Sequence, residues 1–118
     1  MSRLVLLALA LTSLTGLAGC PESDVRGSCE HAPSLCIEYG GAWTEAELEA
    51  ARDVCAAGGT WGDRPCERDE AVGGCRFTGE REAGVVTEID WYGPRTLRDE
   101  ELRARCDRQG GDYVLPDE

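Results

Sequence analysis

Gly58-Gly59-Thr60-Trp61 follows the cysteine of one predicted helix, and the same pattern returns as Gly110-Gly111-Asp112-Tyr113 after a second. Each tetrapeptide ends a unit that has two cysteines, then a helical stretch with a third cysteine, then Gly-Gly-x-aromatic. The first unit contains Cys29, Cys36 and Cys55, and the second contains Cys66, Cys75 and Cys106. We therefore predict an internal duplication inside one cysteine-rich domain (29–118), with repeats at about residues 29–65 and 66–118.

The first helix has clear signals at both ends. Thr44-Glu45-Ala46-Glu47 has the sequence of a capping box, in which the Thr hydroxyl and the Glu carboxylate satisfy free backbone N–H groups. Leu48, Ala51 and Cys55 follow at the spacing of one helix face. Gly58 is predicted to end the helix in the left-handed conformation.

The second helix is predicted from similar signals. Thr96 stands where an N-cap is expected, and Leu102 and Cys106 share a helix face at i, i+4. Gly110 is predicted to end this helix. Two i, i+4 pairs have the favourable charge order, and these are Asp99 with Arg103 and Glu101 with Arg105.

Short strands are predicted around the helices. Gly74–Thr78 and Val85–Tyr92 resemble the arms of a hairpin that turns through residues 79–84. The other expected strands are Leu35–Tyr39, Thr60–Trp61 and Asp112–Leu115. This order of elements predicts a small α+β domain with both helices on one face of an antiparallel sheet.

Six cysteines in a small chain are typical of a disulfide framework. No Cys-x-x-Cys pair is present, which disfavours zinc. With three cysteines in each repeat, at least one disulfide must join the two repeats. If each helix is bonded to its own sheet, the expected pairs are Cys36–Cys55 and Cys75–Cys106, with Cys29–Cys66 linking the repeats.

The N-terminus has the pattern of an export signal. A positive Met1-Ser2-Arg3 precedes an apolar run, which ends in Leu17-Ala18-Gly19-Cys20. This tetrapeptide resembles a bacterial lipobox, and the whole resembles the small cysteine-rich lipoproteins of GC-rich Gram-negative bacteria. The resemblance implies a signal peptide over residues 1–19, a lipid on Cys20 and anchoring in the outer membrane, since Pro21 is not the Asp of inner-membrane lipoproteins. Residues 20–28 are expected to form a flexible tether.

The chain is strongly acidic, with 23 Asp and Glu against 12 Arg, no Lys and a formal net charge of −11. Such a charge repels phosphate groups and argues against a nucleic-acid partner. The carboxylates at Asp63, Glu67, Asp69 and Glu70 could bind calcium, but they lack the order of a calcium loop. We expect them to form a solvated loop and not a metal site.

Catalysis has little support in the sequence. His31 is the single histidine, no Ser elbow is present, and the cysteines other than Cys20 are expected in disulfides. We therefore expect no cofactor and no enzymatic activity. The leading hypothesis is a non-catalytic module that binds an envelope protein or glycan or has a structural role, with Trp91-Tyr92 as a possible recognition spot. The alternative is a protease inhibitor that presents residues 62–65 beside Cys66.

Overall fold

The computed structural model describes residues 24–31, 34–94 and 97–117. The lipobox, the expected signal peptide and Thr96 lie outside this part of the chain. Two successive units have the same order of elements. The first consists of β1 (Val25–His31), β2 (Leu35–Gly41), α1 (Glu45–Ala56) and β3 (Gly59–Gly62). The second consists of β4 (Gly73–Arg81), β5 (Gly84–Tyr92), α2 (Asp99–Arg108) and β6 (Asp112–Val114).

The described strands form one antiparallel sheet in the order β3-β1-β2-β5-β4-β6. Each half has a hairpin, a helix and an edge strand that returns beside the first strand of the hairpin. The two halves meet where β2 pairs with β5. The α+β class is confirmed, and the halves repeat one ββαβ topology. The repeating units span residues 25–62 and 73–114, so the cysteines Cys29 and Cys75 are equivalent, and not Cys29 and Cys66 as the sequence had suggested.

One row of paired residues runs across all six strands and shows which face carries the helices. From β3 to β6 the row is Trp61, Cys29, Ile37, Asp90, Cys75 and Tyr113. Directly paired residues of antiparallel strands present their side chains on the same face. Cys29 is bonded to Cys55 of α1 and Cys75 to Cys106 of α2. Both helices therefore lie on one face, as predicted, and we call it the helix face.

The opposite face is covered by residues 63–72, which connect β3 to β4, and we call it the loop face. A small apolar core lies beneath this connection, formed by Cys66, Trp91 and Val114 with Cys36, Ala71 and Ile89 packed around them. The sheet is thus covered on both sides. Helices cover the outer strands on one face, and an irregular segment covers the central strands on the other.

The helix ends agree only in part with their sequence signals. The capping box at Thr44 and Glu47 is present, with the Glu47 N–H donating to Thr44 Oγ1 over 3.1 Å. The prediction of a left-handed Gly58 is wrong, because α1 ends through Ala57 in the right-handed region and positive φ is found instead at glycines such as Gly110. Gly110 has φ 78° and ends α2 as predicted.

The start of α2 also differs from its prediction. Arg98 is the N-cap residue and makes no side-chain capping bond. The predicted pair of Asp99 with Arg103 is present, with 3.2 Å between the carboxylate and Nε. Glu101 contacts Arg98 over 2.8 Å, three residues back, and not Arg105.

Two strand boundaries were predicted wrongly. Residues 25–28 were assigned to the tether but belong to β1, which begins at Val25. The segment has few apolar side chains because Gly27 lies beneath the ring of Trp61, where any side chain would collide. The β4–β5 hairpin was expected to turn through residues 79–84, but the strands pair as far as Arg81 and Gly84.

Candidate functional site

The three disulfides join Cys29 to Cys55, Cys36 to Cys66 and Cys75 to Cys106. All six domain cysteines are bonded as expected, and Cys75–Cys106 was predicted correctly. The predicted pairs Cys36–Cys55 and Cys29–Cys66 are wrong. Cys36 pairs across the hairpin with Glu30, the neighbour of Cys29, so Cys36 and Cys29 point to opposite faces of the sheet. Only Cys29 can reach the helix, and Cys36 meets Cys66 on the loop face.

The Gly-Gly-x-aromatic motif is explained by the helix disulfides. A Cβ added at Gly59 would lie 2.8 Å from Cys29 Sγ, and one at Gly111 would collide with Cys75 Sγ. The second glycine of each motif therefore leaves room for sulfur. The aromatic residue two positions later, Trp61 or Tyr113, lies beside the same cysteine on the neighbouring strand.

Residues 63–72 are fixed to the loop face by polar contacts as well as by a disulfide. The Ser28 hydroxyl donates to the carbonyl of Arg64 over 2.6 Å. Glu38 is 2% exposed, and it accepts from the Cys66 N–H and from Arg68, each over 3.0 Å. The Arg68 guanidinium lies 4.5 Å from the centre of the Trp91 ring. The connection is therefore held along its length, including the segment 62–65 that was considered as an inhibitor loop.

A cleft of about 260 Å³ opens at the end of the sheet where β1 turns into β2. Its acidic side chains come from two segments, Glu30 on β1 and the group Glu67, Asp69 and Glu70 on the connection. The cleft is completed by His31, Ser34, Leu35, Cys36, Ala71, Trp91, Tyr92, Gly93 and Pro94. We call it the acidic cleft. It brings together the predicted acidic segment and the predicted aromatic pair, which are far apart in the sequence.

The details of both predictions need correction. Trp91 is 3% exposed and Tyr92 is 6% exposed, so they form the floor of the cleft and not a projecting recognition spot. Asp63 lies outside the acidic cleft and lines a neighbouring one with Arg64 and Pro65. Within residues 24–31, 34–94 and 97–117, no three His, Cys, Asp or Glu side chains are grouped so that they could hold a metal ion.

His31 contacts a disulfide. Its Nε2 lies 3.2 Å from Cys29 Sγ, at the end of β1. The sequence analysis assigned His31 to a solvated loop, which is wrong. The available signal was its position two residues after Cys29, since residues i and i+2 of a strand share a face.

A pair of carboxyl groups lies at the centre of the helix face, and the sequence analysis did not identify it. Glu88 and Asp90 are two residues apart on β5, and Asp90 Oδ1 is buried without a hydrogen-bond partner in the described part of the chain. Burial, together with hydrogen bonding to Glu88 and its negative charge, raises the pKa of Asp90 to about 7, while Arg105 opposes this shift. Burial and the neighbouring carboxylates also raise the pKa values of Tyr39 and Tyr92.

Comparison with protein-family models, with curated proteins and with solved structures finds no match to this chain. Neither helix in the described ranges is long and apolar enough to cross a membrane. A function for the chain must therefore be argued from its own residues.

Proposed function

We propose that the chain is a lipid-anchored protein of the cell envelope whose folded domain is a non-catalytic binding module. The observation that carries this proposal is the spacing between the lipobox and the domain. Cys20 ends the lipobox, and the first strand begins at Val25. The domain that follows has three disulfides, which persist in oxidising compartments outside the cytoplasm.

The short spacer restricts how an anchored domain would lie. The four residues between Cys20 and Val25 span at most about 14 Å when fully extended. The end of the sheet where β1 begins would therefore stay close to the membrane. His31, at the other end of β1, lies about 20 Å farther along the strand.

The acidic cleft lies at this far end, beside His31. Its four carboxylates form no ion pair with another described residue, whereas Glu38 and Glu47 elsewhere in the domain are paired with arginine. A groove at the end of the sheet, facing away from the anchor, is accessible to a protein or glycan of the envelope. We therefore assign the binding role to the acidic cleft, with a partner that presents cationic or hydroxyl groups.

The anchor is tested by metabolic labelling of the full chain with a clickable palmitate. We expect label on the wild-type protein and none on Cys20→Ser, which should leave the membrane fraction or remain uncleaved. Cys29→Ser is a poor control because it disrupts a disulfide, so Ser23→Ala serves as the matched spacer variant and should label normally. An unlabelled wild-type protein would refute the anchor.

The binding role is tested by site-specific photo-crosslinking in intact cells. A photo-reactive amino acid at Glu70, on the rim of the acidic cleft, should give a discrete crosslinked product. The same residue at Val54, which is 74% exposed on α1, is the control and should give none. A product at Val54 and none at Glu70 would contradict the assignment of the cleft.

The protease-inhibitor hypothesis has less support. The Arg64 carbonyl, which a protease would have to attack, is held toward the sheet by the Ser28 hydroxyl. An inhibitor of this kind would need residues 62–65 to project from the domain, so we favour the binding module.

A further inference from the structure

We propose that Cys29–Cys55 is a redox-sensitive disulfide, reduced more easily than its structural equivalent Cys75–Cys106, because His31 stabilises the thiolate of Cys29. This property is independent of the lipid anchor and of the acidic cleft. It would make the first half of the domain the half that responds to a dithiol reductant.

The two disulfides occupy equivalent places in the two halves. Each joins the first strand of its hairpin to the last turn of its helix, and the paired neighbour on the edge strand is aromatic in both. The cysteines Cys29, Cys55, Cys75 and Cys106 are each at most 2% exposed. Burial therefore hinders attack on both bonds about equally and does not explain a difference between them.

The residue two positions after the strand cysteine is where the halves differ. In the first half it is His31, whose Nε2 lies 3.2 Å from Cys29 Sγ. In the second half it is Phe77. Each side chain lies beside the glycine that makes room for the disulfide, His31 near Gly59 and Phe77 near Gly111. An imidazole N–H can donate to sulfur, and a phenyl ring cannot.

The exchange reaction gives this contact a chemical consequence. A thiolate of the dithiol attacks Cys55 Sγ, the S–S bond breaks, and Cys29 leaves as a thiolate that accepts a hydrogen bond from His31. The second thiol of the reductant then attacks its own sulfur in the mixed disulfide. It releases Cys55, and the two cysteine sulfurs take up the two protons that the dithiol loses. The reductant becomes a cyclic disulfide, and two electrons pass to the protein.

Cys29 is the better leaving group of the pair. Cys55 lies in the last turn of α1, where the negative end of the helix dipole disfavours a thiolate. A hydrogen bond from His31 favours the charged form of Cys29, and a leaving thiol that forms its thiolate more readily leaves faster. The stabilised reduced form also shifts the equilibrium, because charge-assisted hydrogen bonds are about twice as strong as neutral ones.

The test is a redox titration of the full chain in detergent at pH 7, with graded ratios of reduced and oxidised dithiothreitol. Differential alkylation and mass spectrometry report the reduced fraction of each cysteine pair. We expect the equilibrium constant for reduction of Cys29–Cys55 to be about tenfold larger than that of Cys75–Cys106, which corresponds to about 30 mV.

The equivalence of the two halves supplies matched variants. His31→Phe should remove the difference, and Phe77→His should make Cys75–Cys106 easier to reduce by a similar factor. If His31→Phe fails to fold, the gain in Phe77→His decides the question. Equal reduction of the two bonds in the wild-type protein, or a difference that survives His31→Phe, would overturn the proposal.

Discussion

Ile37 on β2 lies directly opposite Asp90 on β5, in the strand pairing that joins the two halves of the domain. Ile37 also pairs with Cys29, and Asp90 pairs with the equivalent Cys75. The two residues are therefore counterparts in the duplicated unit, and the pseudo-twofold axis passes between them. One half supplies an apolar side chain at this position, and the other supplies a carboxyl group whose pKa is raised to about 7.

The raised pKa of Asp90 predicts that the domain loses stability as the pH rises. An ordinary Asp has a pKa of 3.8, so between about pH 4 and 7 the folded chain holds a proton that the unfolded chain has lost. The free energy of unfolding should fall with pH across this window and level off above it. Asp90→Asn should melt at a higher temperature than the wild type at pH 8, and the gap should narrow toward pH 5. Asp112→Asn, exposed on β6, is the control for thermal melts, and an identical pH profile for Asp90→Asn and wild type would contradict this prediction.

Removing the charge of Glu38 should release residues 63–72 from the sheet. Glu38→Gln keeps the size of the side chain but loses the ion pair with Arg68 and weakens the bond from the Cys66 N–H. We expect a cost of about 1–3 kcal/mol in the free energy of unfolding, measured in urea. Trypsin should also cleave faster after Arg68 under native conditions. Glu67→Gln, exposed on the same connection, should change stability by less than about 0.5 kcal/mol, and similar losses for both variants would show that Glu38 has no special role.

The adjacent glycines Gly58 and Gly59 should respond differently to the same substitution. A Cβ at Gly59 would approach Cys29 Sγ and the Glu30 carbonyl, each to 2.8 Å, whereas a Cβ at Gly58 would have no atom within 4 Å. Gly59→Ala should therefore cost about 1–3 kcal/mol through overpacking. Gly58→Ala should lie within about 0.5 kcal/mol of wild type. Urea denaturation of the two variants is the measurement, and equal effects would count against the proposed clearance around the disulfide.

Non-reducing peptide mapping should find Cys29 linked to Cys55 and Cys36 linked to Cys66. Trypsin cannot distinguish these pairs from the crossed ones, because no arginine separates Cys29 from Cys36. Cleavage after Glu30 and before Asp63 separates all four cysteines. A fragment that joins Cys36 to Cys55 would refute the fold described here, since it would require both to lie on the same face of the sheet.

Patterns that are local in the sequence predicted local structure well. The capping box at Thr44 and Glu47, the helix faces of Cys55 and Cys106 and the positive φ of Gly110 depend on residues within a few positions of one another. The repeated Gly-Gly-x-aromatic motif also indicated the duplication, because each copy meets the same steric requirement beside a disulfide. Composition was sufficient to predict the disulfide framework and the α+β class. The anchor at Cys20 stays a prediction.

Features that depend on distant residues were decided by the tertiary structure. β1 is poor in apolar side chains, and it forms because Trp61, more than thirty residues later, lies over Gly27. The hairpin register places Cys29 and Cys36 on opposite faces, which fixes a disulfide pairing that counting cysteines had left open. The same register places Asp90 at the centre of the buried helix face. Which face a strand residue occupies, and what covers that face, depends on pairing between segments that the sequence separates.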